Sequence, residues 1–224
     1  MVFRLGKSND NKTTHFALVK INNKLDDFFL FDNLLFENLK MNTFTPTFDK
    51  RKYLPYLILP DLTEISFVHL GLFSGLFAEA LNLDNKKSLI IPATTHSTFT
   101  FTFNPHSSIN NEFIHNNGQI EIDAIFLERR QGKMTLFLLE AKNGFNEKSP
   151  QTLSKHKIVY PILAIAPQVP GDIEIIPVYV KVNKIKNGLI FNIAELSFPD
   201  PRKGKVSIDQ LSLQKSSKYF LQLF

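Results

Sequence analysis

Two stretches of the sequence put acids where an apolar strand would otherwise run. In residues 119–128 (QIEIDAIFLE) strand alternation places Glu121 and Asp123 on the face of Ile125 and Leu127; in residues 134–143 (MTLFLLEAKN) it groups Leu136, Leu138, Glu140 and Lys142. The intervening ERRQGK has the composition of a tight hairpin. With Gln131 and Gly132 as its two loop residues, Arg130 faces Lys133 and, counted back, Asp123 faces Glu140 and Glu121 faces Lys142. Opposed side chains in such a hairpin lie roughly 4.5 to 5.5 Å apart at Cβ, close enough for two carboxylates to share a cation. Three acids and a lysine at the edge of an apolar face repel and are desolvated, and a divalent ion relieves both. Oxygen ligands select Mg²⁺ or Mn²⁺ over zinc, and such ions suit phosphodiester hydrolysis. Spacing alone leaves a second reading open, in which Lys142 neutralises Glu140 or Glu121 at a solvent-facing hairpin end.

The remaining composition narrows the chemistry. There is no cysteine, which removes disulfides, thiolate metal sites and cysteine nucleophiles, and no glycine-rich phosphate loop, serine nucleophile elbow or dinucleotide fingerprint. The histidines, at 15, 69, 96, 106, 115 and 156, lack paired metal spacing. Lys and Arg number 26 against 21 Asp and Glu, a formal charge of +5 that fits a polyanionic partner. The basic residues cluster at Lys50, Arg51 and Lys52, at Arg129, Arg130 and Lys133, at Lys155, His156 and Lys157, and at Lys181, Lys184 and Lys186. The amino terminus has no continuous apolar leader and no stretch approaches the roughly 18 apolar residues of a membrane span, so a cytoplasmic protein that uses no membrane is expected.

The elements that must position these residues are legible in outline. Residues 1–60 are the least regular: residues 28–41 read as one helix or two short pieces, and Pro46, Pro55 and Pro60 interrupt the stretch after them. A helix is expected over about 61–83, started by Asp61 or Thr63, with Gly71 and Gly75 on one face packed closely against a sheet. From Ser88 the texture is that of strands: SLIIPATT, STFTFTFN, QIEIDAIFLE and MTLFLLEAKN form a meander. A second helix is expected from Ser149 or Pro150 to Ile165, with Pro161 as a kink or stop, then strands at IEIIPVYVKV and GLIFNIAEL. The order predicts an α/β (α+β) fold with a mixed central sheet flanked by helices.

Asp123, sixteen intervening residues, and then Glu140-Ala141-Lys142 resemble the signature of the PD-(D/E)XK nuclease superfamily, with Ile122 in place of its proline. The resemblance covers about residues 61–182 and implies a restriction-endonuclease-like core between an amino-terminal segment (1–60, DNA-reading or dimerising) and a carboxy-terminal extension (183–224). It implies that Asp123, Glu140, Lys142 and a helix glutamate are catalytic, and that Asp123, Glu140, Ala141 and Glu64 hold Mg²⁺, with Mn²⁺ as a substitute; Glu121 joins the expected metal set on its place in the strand pattern. Glu64, which opens EISFVHLGLFSGLFAEAL, is preferred to Glu79 for the helix carboxylate. Lys157, or else Gln151, matches the residue that the next helix presents to the site, and with Lys155, Arg129 and Arg130 makes the expected DNA-binding set. The activity implied is that of a type II restriction endonuclease on double-stranded DNA, acting as a homodimer with no small-molecule cofactor. The alternatives are a repair or junction-resolving nuclease and a nuclease-like module that binds DNA without cutting.

Overall fold

The computed structural model describes residues 1–222 apart from 9, 11, 21–23, 47–48, 60–61, 88, 145–150 and 186. The amino-terminal third contributes β1 (Val2–Lys7), β2 (Thr14–Leu18), β3 (Phe29–Phe31), α1 (Asp32–Phe36), β4 (Met41–Phe44) and α2 (Leu54–Ile58). Next come α3 (Glu64–Phe73), α4 (Leu76–Ala80), β5 (Ala93–Phe103), β6 (Phe113–Arg130) and β7 (Lys133–Asn143). β8 (Thr152–Ser154), α5 (His156–Ile165), β9 (Glu174–Ile185), β10 (Gly188–Ser197) and β11 (Ser212–Gln222) complete the chain.

One mixed sheet runs in the order β2-β1-β6-β7-β9-β10-β11-β4, with β5 against β6, and β3 and β8 form a separate pair. The expected meander is β5, β6 and β7. Its tight end has Arg130 opposite Lys133 and positive φ at Gln131 (51°) and Gly132 (76°), the backbone of a two-residue hairpin loop matched to strand twist. β7 and β9 run parallel, and α5 lies in the crossover that a parallel pair demands. Strands from residues 1–60 and 183–224 extend this same sheet at both ends.

Each face of the sheet buries its own apolar cluster. On one, Phe67, Leu70, Leu76 and Phe77 of α3 and α4 pack on Phe126, Phe137, Leu139, Val180 and Phe191; on the other, Ile158 and Ile162 of α5 pack on Ile120, Ile122, Leu138 and Tyr179. A fully buried phenylalanine such as Phe137 stabilises the fold by about 1.5–3 kcal/mol, so these clusters set the sandwich of helices around the sheet.

Several elements differ from expectation. The single helix over 61–83 is two, because Gly75 takes φ 81° and breaks it. Thr63 caps α3 by accepting from the Ser66 N–H at 3.2 Å, while Asp61, the other cap considered, and Pro60 lie outside the described residues. Gly71 is close-packed as expected, but against a helix: an added Cβ would meet the Phe77 ring at 2.7 Å. The two strands read at 88–104 are one, β5, beginning at Ala93, with position 88 outside the described residues. α5 begins at His156, the candidate starts at 149 and 150 lie outside the described residues, and the helix continues through Pro161. Burial of Ile158, Val159, Ile162 and Leu163 outweighs the roughly 3 kcal/mol cost of an interior proline. Residues 28–41 hold a strand and one short helix.

Candidate functional site

β6 and β7 separate where the acids lie. Their pairing ends at Ala124 opposite Leu139, and beyond it the buried carboxylate of Asp123 accepts the Ala141 N–H at 2.7 Å in place of a ladder bond. The expected oppositions of Asp123 to Glu140 and Glu121 to Lys142 therefore do not form. A bulge is the reason: against β5, Ala93 pairs with Ile125 but Thr95 with Ile122, so the register slips by one residue across Asp123. The slip also changes the faces. Ile120 and Ile122 lie in the α5-side cluster and Ala124 and Phe126 in the α3-side cluster, so Glu121, Asp123, Ile125 and Leu127 do not share one face.

On β7 the alternation holds. Leu138 points toward α5 and Phe137, Leu139 and Ala141 toward α3. Glu140 follows on the α5 side, and its carboxylate is buried.

Lys142 is the hub of the site. Its Nζ lies 2.9 Å from Glu140 Oε1, 3.1 Å from Glu64 Oε2 and 2.7 Å from the Ala141 carbonyl oxygen. Glu64 is brought there by the first turn of α3, where its other oxygen accepts the Asn143 N–H at 3.2 Å. Glu79 instead forms a salt bridge with Lys86 at 2.5 Å. Glu121 is exposed and lines the same cavity as Glu140 and Lys157, outside the hydrogen bonds that enclose Lys142.

The electrostatics follow from burial. Desolvation pushes the Glu140 carboxyl up to about 7, with the Asp123 charge adding to the rise and Lys142 opposing it. Asp123 is raised by the same desolvation, against the pull of the Ala141 N–H and Lys142. Burial by itself would lower Lys142, but the Glu140, Glu64 and Asp123 carboxylates outweigh it and hold the ammonium above the ordinary lysine value. Lys142 is thus a fixed positive charge at neutral pH.

Among the described residues no group of three His, Asp or Glu side chains is already arranged as a metal cluster. The donor set nevertheless fits a hard cation: three oxygens, one of them a backbone carbonyl, enclose a positive charge with Asp123 adjacent. In this structure the Lys142 ammonium occupies the space between these oxygens, at 2.7 to 3.1 Å from them.

Other residues assigned to DNA binding are placed differently. Lys155 is only 6% exposed and donates to the Asp209 carbonyl at 3.1 Å, beside Asp26, Asp27 and Asp209, so it is committed to the fold. Arg129 donates to the Gly132 carbonyl at 2.9 Å and Arg130 is paired with the buried Glu195 at 2.6 Å. Both sit at the hairpin turn, and six strand residues, roughly 20 Å, separate Arg129 from Asp123. Gln151 is exposed and lies with Asp32 and Lys181 around a different cavity. Lys157, on the first turn of α5, faces Glu140 across the cavity they share. Of the other basic clusters, Lys181 is 5% exposed and bound to Asp32 at 2.5 Å, and position 186 lies outside the described residues.

Sequence reasoning missed that buried group, in which Tyr179 also donates to Asp32 at 3.1 Å. The available signal was Lys181 interrupting the apolar run IIPVYVKV. It missed Arg4 as well, which comes to the cavity from the other end of the chain.

No described helix is long and apolar enough to cross a membrane. No curated protein and no solved structure matches the chain. A family model described as a domain of unknown function, DUF6997, matches residues 31–220, and the chain belongs to that family.

Proposed function

We propose that the protein is a Mg²⁺-dependent DNA endonuclease that hydrolyses phosphodiester bonds, of the type II restriction class that cuts a specific duplex sequence, on a restriction-endonuclease-like core. The observation that carries this reading is the oxygen cage of Glu140, Glu64 and the Ala141 carbonyl around a cation, with Asp123 beside it. These four residues would hold the metal. A bound divalent ion supplies Lewis-acid polarisation of a phosphoryl oxygen and a more acidic water. Lys142, protonated throughout the neutral range, supplies positive charge toward the pentacovalent phosphate. Lys157 contributes positive charge on the open side of Glu140.

The deciding experiment incubates the purified protein with mixed plasmid and phage DNA and Mg²⁺, and sequences the ends produced. Discrete fragments with a common end sequence are expected. Selective cutting of branched DNA would replace the restriction reading with a junction-resolving one, and intact DNA with both Mg²⁺ and Mn²⁺ would overturn the nuclease reading.

The two lysines near α5 are separated by the salt dependence of DNA binding. Removing one lysine–phosphate interaction lowers the slope of log affinity against log salt by roughly 0.9. Lys157→Ala is expected to show that decrease, whereas Lys155→Ala, whose side chain is buried on Asp209, is expected to keep the wild-type slope. An unchanged slope for Lys157→Ala would remove Lys157 from the interface.

A further inference from the structure

A cavity of about 330 Å³ opens beside the cage, and its place in the fold is set by how β6 is shared. β5 occupies one edge of β6 from Phe113 to Ile125, where Ile125 pairs with Ala93 on one side and Leu138 on the other. The other edge is divided between β1, which meets β6 at Asn116, and β7, which joins it at Ala124. Residues 117–123 border the fork left between them. The cavity fills that fork, with Arg4 from β1, Gln119 and Glu121 from β6, Glu140 from β7, and Lys157 and Tyr160 from α5.

Two features of the wall point to an anion. Other basic side chains withdrawn from water are satisfied inside the fold, Arg130, Lys181 and Arg202 by carboxylates and Lys155 by the Asp209 carbonyl. Arg4 is half-buried and Lys157 exposed; neither forms an ion pair among the described residues, and the Arg4 Nε is buried with no acceptor. A donor kept from water without an acceptor is unfavourable, and an anionic oxygen would satisfy it. The rest of the wall suits more than a bare anion. The Tyr160 ring, tilted by 54° to His156 with their centroids 5.2 Å apart, makes one side of the wall aromatic, and the Gln119 amide offers a donor and an acceptor. The volume falls at the lower end of the roughly 300–1,000 Å³ typical of ligand pockets.

We propose that this cavity binds one nucleotide, its phosphate held by Arg4 and Lys157 and its base set against Tyr160 and Gln119, as a subsite beside the phosphate that is hydrolysed. As a DNA subsite it rests on the nuclease reading; as a nucleotide site it does not. The nucleotide belongs to a DNA strand whose neighbouring phosphate lies at the Glu140 cage.

The test titrates the full chain in EDTA with thymidine 5′-monophosphate and with thymidine, then competes the monophosphate with a short oligothymidylate. Thymidine 5′-monophosphate is expected to bind at least about tenfold more tightly than thymidine, and Arg4→Gln and Lys157→Gln each to weaken it by about tenfold, the effect of removing one charged hydrogen bond. Lys157 is exposed on α5, so its variant reports on binding even where Arg4→Gln lowers the melting temperature. Equal binding of nucleoside and nucleotide, or wild-type affinity in both folded variants, would overturn the site. Competition by the oligonucleotide supports a strand as the source, and failure to compete would overturn the DNA subsite in favour of a free nucleotide. Because these titrations contain no metal, they stand apart from hydrolysis. Nucleotide binding without any Mg²⁺-dependent cleavage would sink the nuclease reading alone, and cleavage with unaltered affinity in both variants would sink the nucleotide site alone.

Discussion

Asp123→Asn is expected to fold and to lose at least about a thousandfold in Mg²⁺-dependent DNA cleavage, because a ligand charge worth several kcal/mol of transition-state stabilisation is removed. Asparagine is the informative replacement. Its side-chain oxygen still accepts the Ala141 N–H that the Asp123 carboxylate binds at 2.7 Å, so the point where β6 and β7 separate is preserved. Asp123→Ala removes that acceptor inside the protein, and a buried N–H left unsatisfied costs about 1–3 kcal/mol. The alanine variant therefore mixes a catalytic loss with a structural one, and thermal melts of the two separate them. Single-turnover cleavage by folded Asp123→Asn at the wild-type rate would show that the site has been assigned wrongly.

Glu140→Gln is expected to raise the stability of the metal-free protein while abolishing most of its response to metal. The sign comes from the Glu140 carboxyl, which desolvation, aided by the Asp123 charge, lifts from 4.5 to about 7. A raised folded-state pKa means that the native protein holds this proton more tightly than the unfolded chain. The corresponding stability is present in full below about 4.5 and is lost as pH rises to about 7, above which wild type carries a buried negative charge. Glutamine does not titrate. Its advantage in EDTA should be small at pH 4, grow across that window, and level off at up to about 3 kcal/mol by pH 8. Lys142 is not stranded, since Glu64 and the Ala141 carbonyl still accept from it. Mn²⁺ should raise the wild-type melting temperature as RT ln(1 + [L]/Kd), and more steeply at higher pH, because the ion displaces the Glu140 proton. The variant should gain far less. A less stable metal-free Glu140→Gln with an undiminished response to Mn²⁺ would leave Glu140 and Lys142 as a structural ion pair and remove the metal cage.

Legibility differed from residue to residue for physical reasons. The β6–β7 hairpin could be read because its information is local: a Gln-Gly loop between apolar strands determines the turn, and the register as far as Ala124 opposite Leu139. Glu64 was reached through the resemblance alone, and α3 brings its carboxylate to Lys142. Lys155 and Lys157 look alike in sequence, yet one lies buried on Asp209 and the other opens to the cavity, because α5 docks with only one face toward the sheet. Arg129 and Arg130 seemed near the acids because the chain is short there, but a strand is extended and carries them to the far end of the hairpin.

What the sequence determined by itself was the apolar alternation of β7, the tight turn and the charged ends of two strands, since each depends on neighbours a few residues away. The tertiary structure decided the rest. The bulge at Asp123 exists because β6 must satisfy β5 on one edge and release β7 on the other, a conflict between partners distant in the chain. The enclosure of Lys142 by Glu64 and Glu140, and the meeting of Arg4 with Lys157 in the fork, join residues 78 and more than 150 positions apart in sequence. Such long-range meetings carry no local signature, because the free energy that forms them comes from burying the two apolar faces of the sheet and not from the charged residues themselves.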